Sequence, residues 1–202
     1  IIKALIRKCF TEEDSNEAID KMIPEQKKEL LESYINDNKS LADSEIMAFP
    51  SAYILDESRY VGVCYQSAAL LSLYHFSYSY AGGAHGNYST AYTSVNMSTG
   101  KVIRLNDVII PAGKKKLSML LEKHFRKSRG LKPGESLSEK GGLFENKIEA
   151  GDHFYLTGKG IIFSYPPYEI APYSEGEVQV FVPYSDMTGI LQPGMKKIFA
   201  LR

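Results

Sequence analysis

The sequence predicts an α+β fold, an antiparallel β-sheet with helices packed on one face, and two observations support it. Between Ala52 and Val102, runs rich in Tyr, Val, Leu, Phe and Thr alternate with turn residues, which is typical of strands. Apolar residues spaced three and four apart in residues 11–39 and 112–128 predict amphipathic helices on either side. Because the strand-like runs are joined by connections of hairpin length, we expect antiparallel pairing.

The domain organisation follows from length and from this division. A chain of 202 residues is long enough to bury its own core, and we expect one main α+β domain over residues 51–202. Residues 1–50 are predicted to be an N-terminal helical segment that would fit the end of a truncated upstream subdomain. The chain begins with Ile1 instead of Met, so we expect a leader, an anchor or further protein upstream.

Composition disfavours several classes of function. The 24 Lys and Arg residues balance 24 Asp and Glu residues, so nucleic acid is not expected as a partner. The apolar stretches are shorter than the roughly 18 residues of a transmembrane helix, and we expect no transmembrane segment. Cys9 and Cys64 lack the spacing of a metal site. They are either two buried thiols or a disulfide formed in an oxidising compartment.

The sequence patterns that predict secondary structure are less regular outside residues 52–102. Pro24 followed by Glu25 fits the first turn of a helix, so residues 11–39 are predicted as two helical pieces with a bend at 22–24. The opening run, residues 1–10, alternates poorly and is ambiguous, with a strand as one interpretation. Strand patterns return at 153–157, 160–165 and 178–182, and the Gly-rich, charged residues 130–151 are predicted to form a mobile loop.

The first candidate site is the glycine loop, Gly82–Gly86, in which Gly82, Gly83 and Gly86 surround Ala84 and His85. Three glycines in five positions predict a tight loop between two strands, because glycine reaches positive φ and allows close backbone approach. His85 could contact a ligand or act as a general base. The alternative is a histidine that hydrogen-bonds the backbone of its own loop, and no acid or second histidine stands nearby at a catalytic spacing.

The second candidate site is the tyrosine loop, Tyr168–Tyr173, whose sequence is Tyr-Glu-Ile-Ala-Pro-Tyr. Pro172 and the two prolines just before the loop restrict the backbone, so Tyr168 and Tyr173 are predicted to stand on a stiff, extended segment suited to recognition. The alternative is a structural crossover whose tyrosines pack onto the sheet. Glu169 could serve as an acid, but its ordinary role would be capping or pairing.

Catalytic and polyanion-binding signals are weak. No Walker loop, dinucleotide fingerprint, Gly-x-Ser-x-Gly elbow or His-Glu-x-x-His motif is present. The run Lys114–Lys116 at the start of the second helix could mark a polyanion patch, but a solvated helix face is the preferred interpretation because acidic residues surround it. We therefore predict no catalytic residue, no metal site and no cofactor.

Four segments resemble, in order and spacing, the RsiV/PdaC-type extracytoplasmic domain family: Tyr80–Asn87, Ser98–Asp107, Tyr168–Tyr173 and Val182–Ser185. The resemblance covers roughly residues 52–191. It implies a bacterial protein that faces the periplasm or the cell exterior. In this family, one group senses lysozyme as the outer domain of an anti-sigma factor, and another is a noncatalytic module of a peptidoglycan deacetylase.

The resemblance leads to a functional hypothesis. We expect a noncatalytic binding or sensor domain of the bacterial envelope, which recognises lysozyme or cell-wall glycan through the glycine and tyrosine loops. Glu175 and Glu177, which follow the tyrosine loop, would suit a basic partner or form a solvated rim. The alternatives are a cell-wall hydrolase that uses His85 with Glu169, and a purely structural envelope lipoprotein domain.

Overall fold

The computed structural model of the chain describes Lys3 and residues 18–198. They belong to two compact units. The first contains the residues up to Val61 together with His75–Ser89, and the second contains Gly62–Tyr74 and the residues from Thr90 onward. The sequence-based boundary near residue 50 stays a prediction. Cys9 and most of the ambiguous opening run lie outside the described residues.

From residue 18 onward, the first unit contains helix α1 (Ile19–Asn38), then α2 (Asp43–Ala48) and a 3-10 turn (Pro50–Tyr53). The predicted division of this region into two helical pieces at 22–24 is wrong, since α1 runs continuously through Pro24. Proline lies early in the helix, where its missing N–H forfeits only one intrahelical hydrogen bond. Tyr34 in α1 donates a hydrogen bond to the carbonyl of Tyr53 and so ties the helix to the 3-10 turn.

Six strands form two three-stranded sheets. The first has the order β1 (Asp56–Gln66), β2 (Leu70–Tyr80), β3 (Asn87–Asn96), and the second has the order β4 (Phe154–Leu156), β5 (Gly160–Tyr165), β6 (Val178–Pro183). The α+β class and the antiparallel pairing are confirmed. The strands predicted in both regions are present, but they are shared between two sheets.

The second unit is built around β5 and β6. β5 pairs antiparallel with both neighbours, and Phe163 lies opposite Phe154 on one side and Val180 on the other. In β6, Val178, Val180 and Val182 are buried while the residues between them are exposed, as the two-residue period of a strand requires.

The helices of the second unit follow β3. They are α3 (Leu105–Val108), a 3-10 turn (Pro111–Gly113), α4 (Lys114–Arg129) and α5 (Met195–Ile198). The α4 helix packs against β6 and buries Leu117, Leu121 and Phe125 in the core. It ends at Gly130, which has φ 67° and closes the helix in the left-handed conformation.

The segment 130–151, predicted to be a mobile loop, has little regular structure but is anchored to the core. Leu137, Leu143 and Ile148 are buried. From α4, Arg126 donates a hydrogen bond of 2.6 Å to the carbonyl of Glu135. The sequence does not reveal this anchoring, because the buried apolar residues are few and stand between glycines and charged residues.

Candidate functional site

The glycine loop connects β2 to β3, as the sequence predicts, and its glycines have local structural reasons. Gly82 and Gly83 have φ values of 85° and 97°. A Cβ atom at Gly82 would lie 2.5 Å from the carbonyl oxygen of Ala52, and one at Gly86 would run into the ring of Tyr78. The loop therefore requires glycine both for its backbone conformation and for its close packing.

His85 is an exposed residue of this loop, and its ring contacts the loop backbone. Its Nδ1 lies 3.0 Å from the carbonyl oxygen of Gly86. With the proton on Nδ1, the ring donates to that carbonyl and fixes the loop. The contact is the one expected from the loop-shaping interpretation, and the ligand-binding role of His85 stays a prediction.

The tyrosine loop differs from the glycine loop because a non-glycine residue adopts its unusual backbone conformation. Tyr168 has φ 71°, the only positive value at a non-glycine residue in the described part of the chain. Its side chain is 57% exposed, and its ring centroid lies 5.8 Å from that of Tyr173. The backbone N–H of Tyr168 donates to the carbonyl of Ala171 at 2.9 Å. The loop thus holds a tyrosine in a strained conformation that displays its ring to solvent.

Glu169, the next residue, borders a cleft of about 380 Å³ that also touches Phe144, Gly151 and Tyr165. Burial raises the pKa of the Glu169 carboxyl, and the nearby His153 opposes this shift. Phe144 is 53% exposed, and its N–H donates to the carbonyl of Ile170 at 2.8 Å. The cleft beside the tyrosine loop therefore combines an exposed aromatic ring with a carboxyl group of raised pKa.

Glu177 forms a polar centre that the sequence interpretation missed. Its carboxylate accepts hydrogen bonds from Thr90 at 2.8 Å, Tyr92 at 2.6 Å, Gln179 at 3.1 Å and Ser164. Burial by itself would raise the pKa of Glu177, but these four donors outweigh it and lower the pKa.

The donors of this polar centre come from β3, β5 and β6, so only the strand register brings them together. Ser164 and Gln179 are directly opposite each other in the β5–β6 ladder. Nearby, the rings of Tyr92 and Tyr155 stack with centroids 4.8 Å apart. Cys64 is a free thiol whose pKa is raised to about 11, chiefly by burial and also by Glu177. Since side chains from three strands donate to one carboxylate, the centre ties these strands together and stabilises the fold.

The charge of Glu175 is also neutralised within the protein. Its carboxylate lies 2.9 Å from the guanidinium of Arg129 at the end of α4. From the sequence, Glu175 and Glu177 either suit a basic partner or form a solvated rim. Both carboxylates have partners within the protein, and the basic partner stays a prediction.

Another cleft of the second unit measures about 640 Å³ and lies away from the tyrosine loop in sequence. It is lined by the ends of several elements and includes Arg104, Lys114 and Lys115, together with Glu149 and Asp152. The sequence interpretation treated Lys114 and Lys115 as a solvated helix face. Among the residues that the structure describes, no group of three or more His, Cys, Asp or Glu side chains is arranged to hold a metal ion.

The predicted site residues thus form two local groups. Gly82, Gly83, His85 and Gly86 share the glycine loop in the first unit, while Tyr168, Glu169, Pro172 and Tyr173 share the tyrosine loop in the second. Each group is compact in itself. The single recognition surface expected from both loops stays a prediction.

Two family models match segments of the chain, and each segment contains one of the loops. Residues 3–88 match the family model described as deacetylase PdaC, and residues 106–185 match DUF3298, described as a protein of unknown function. The resemblance to the RsiV/PdaC-type family is confirmed. The glycine loop lies in the PdaC-matched segment. The tyrosine loop and Glu177 lie in the DUF3298 segment.

Solved structures of DUF3298 proteins share the fold. A member from Bacteroides fragilis NCTC 9343 is 24% identical, with a TM-score of 0.85 over 97% of this chain and 78% of the other. A member from Pseudomonas aeruginosa PAO1 is 23% identical, with a TM-score of 0.59 over 70% of this chain and 64% of the other. No protein of curated function matches. None of the helices described here is long and apolar enough to cross a membrane.

Proposed function

We propose that this chain is a noncatalytic binding or sensor domain that works outside the cytoplasm, in the bacterial periplasm or at the cell surface. Its partner is a lysozyme-like protein or cell-wall glycan, and an upstream anchor or lipid would hold it to the membrane. The PdaC and DUF3298 matches support the family context of this proposal. The binding role is supported by the tyrosine loop.

The observation that carries the proposal is the conformation of Tyr168. A non-glycine residue at positive φ costs about 1–2 kcal/mol, and native proteins retain such strain mainly at functional positions. An exposed tyrosine gains little from burial in its own fold, yet it offers a large contact area with little side-chain entropy to lose. Tyr168 therefore has a conformation that is costly to the free protein and useful to a complex.

The internal pairing of Glu175 and Glu177 sharpens what kind of binding to expect. Because both carboxylates already have partners, attraction between the loop and a basic protein contributes little. Binding should then come from burial of the Tyr168 and Tyr173 rings. We expect an affinity that changes by less than about threefold between low and physiological salt, in contrast to a charge-steered complex.

The test is calorimetric titration with c-type lysozyme at two salt concentrations, together with sedimentation of the domain on purified peptidoglycan. The double variant Tyr168→Gly, Tyr173→Ala removes both rings, and glycine at position 168 keeps the left-handed backbone. We expect at least a tenfold loss of affinity with an unchanged circular dichroism spectrum.

The matched control is Tyr60→Ala, which removes a tyrosine that is 50% exposed on β1. It should bind as well as the parent protein. If the folded double variant binds normally, the tyrosine loop is not the recognition surface. If neither lysozyme nor peptidoglycan binds the parent protein, the proposed function is wrong.

A hydrolytic role is the weaker alternative. It would draw on the raised pKa of Glu169, which is a property of many catalytic acids. The histidine whose charge acts on Glu169 is His153, whereas Nδ1 of His85 is engaged with Gly86. Release of reducing sugars from peptidoglycan by the parent protein, lost in Glu169→Gln, would favour this role over simple binding.

A further inference from the structure

We propose that the 640 Å³ cleft of the second unit binds a saccharide that carries an acidic group, a carboxylate or a phosphate. This inference rests on the proposed recognition of envelope glycan, but it uses residues distant in sequence from the tyrosine loop. The cleft has the volume of a typical small-ligand site and is lined by β3, the 102–106 segment, α4 and the 149–154 segment.

The first argument is the set of cations at the cleft. Arg104, Lys114 and Lys115 all line it. Within the described residues, none of these three side chains has an ion pair or a side-chain hydrogen bond, although other cations on the same helix do. Lys116, for example, donates to the carbonyl of Thr188 at 2.9 Å. Among the described residues of α4, Lys116, Lys123, Arg126 and Arg129 have such partners, whereas Lys114 and Lys115 in the cleft and Lys127 outside it have none.

The second argument is their position on α4. The N-terminus of a helix carries a partial positive charge, so acidic residues stabilise the first turn and cations destabilise it, by about 0.3–1 kcal/mol each. The first turn of α4 contains no acidic residue and begins with three lysines. Folding gains nothing from that arrangement, whereas an anion in the cleft would meet Lys114 and Lys115.

The remaining lining residues narrow the class of ligand. Glu149 and Asp152 also line the cleft, and Asn106 adds an amide. Carboxylates and amides suit vicinal hydroxyl groups, and the two carboxylates would repel a nucleic acid or another polyanion. A molecule with one acidic group and several hydroxyl groups can pair with the cations through the acidic group and with the carboxylates and the amide through its hydroxyls. An acidic sugar has this chemistry.

The experiment is a calorimetric titration of the full chain with three probes. They are the disaccharide N-acetylglucosaminyl-N-acetylmuramic acid, which carries a carboxylate, N-acetylglucosamine 6-phosphate, and neutral di-N-acetylchitobiose. We expect at least one acidic probe to bind tenfold more tightly than the neutral one. The comparison of the two acidic probes tells whether the site prefers a carboxylate or a phosphate.

The double variant Lys114→Gln, Lys115→Gln should lose at least tenfold in affinity for the acidic probe. It should also melt at the same or a higher temperature, because it removes cations from a helix N-terminus. Lys127→Gln, on the same helix but outside the cleft, is the matched control and should bind normally. The Tyr168→Gly, Tyr173→Ala variant should also bind normally, so a failure of the tyrosine loop and a failure of the cleft give different results.

Equal affinity for acidic and neutral probes would overturn the proposal, and so would binding that survives in the folded Lys114→Gln, Lys115→Gln variant. Absence of binding by all three probes would overturn it as well. Lysozyme capture through the tyrosine loop would then still be decided by its own experiment.

Discussion

The glycine loop and the tyrosine loop both place residues at positive φ, but they do so with different side chains. In the glycine loop, Gly82 and Gly83 adopt this conformation at little steric cost, and the space around Gly82 admits nothing larger. In the tyrosine loop, the same backbone region is occupied by Tyr168, an exposed aromatic residue.

This difference separates two kinds of unusual backbone. The glycine loop is explained by packing against Ala52 and Tyr78, so its sequence needs no ligand to account for it. The tyrosine loop is less well explained by packing, since glycine or asparagine at position 168 would relieve the strain and give up the contact with the Tyr173 ring. A loop whose residues oppose the stability of its own fold is the better candidate for function.

The largest expected effect tests whether the glycine loop is structural. Gly82→Ala should destabilise the protein by about 3 kcal/mol, because its Cβ would clash with the Ala52 carbonyl at a φ that alanine disfavours. Gly83→Ala is the matched control. It shares the positive φ but has open space around it, so it should cost only about 1 kcal/mol.

Chemical denaturation of both variants measures the difference. Similar losses for the two would show that the backbone conformation, and not the close approach to Ala52, decides the requirement for glycine. A Gly82→Ala variant as stable as the parent would contradict the structural explanation of this loop.

The second prediction concerns Glu177, which lies in the segment that follows the tyrosine loop. Glu177→Gln should cost about 2 kcal/mol at neutral pH, because an amide cannot accept from all four donors. Glu175→Gln, which breaks the more exposed pair with Arg129, should cost less than about 1 kcal/mol.

The pH dependence gives a further check on Glu177. Its pKa is lower in the folded state, so its contribution to stability is present above the unfolded pKa, roughly 4.3, and is lost as the pH falls through the folded value. The stability difference between parent and Glu177→Gln should therefore shrink in acid. A difference that stays constant from pH 7 to pH 3 would show that the carboxylate charge is not what the four donors stabilise.

The sequence predicts the elements of this fold well and the contacts between distant elements poorly. The periodicities at 112–128 and 178–182 predict α4 and β6 to within two residues, because burial of one face leaves a regular pattern. The continuity of α1 through Pro24 was missed because a local proline signal also fits a new helix. The division of strands between two sheets depends on pairing, which a single sequence does not show.

The candidate sites divide in the same way. Both loops are visible in the sequence because glycine and proline mark special backbone locally. The conformation of Tyr168 is not visible, since nothing in its residue type predicts positive φ. The Glu177 centre requires Thr90, Ser164 and Gln179 to meet across strands, and the residues of the large cleft are likewise distant in sequence. A site that strand pairing assembles from residues distant in sequence can be recognised only in the three-dimensional structure.

The smallest expected effect concerns Glu169, and it extends the comparison to a second residue of the tyrosine loop. Burial raises the pKa of its carboxyl in the folded state, so its stabilising contribution is complete below the unfolded pKa and is lost as the pH rises through the folded value. Glu169→Gln should therefore be slightly more stable than the parent at pH 7 and equal to it below about pH 4.

Carbon-detected NMR titration of the Glu169 carboxyl measures the shift directly, and His153→Asn, which removes the opposing charge, should raise that pKa further. A stability gain at pH 7 combined with weaker partner binding would show that Glu169, like Tyr168, favours recognition over stability. A destabilised Glu169→Gln variant would instead place Glu169 with the glycine loop, among residues retained because the fold needs them.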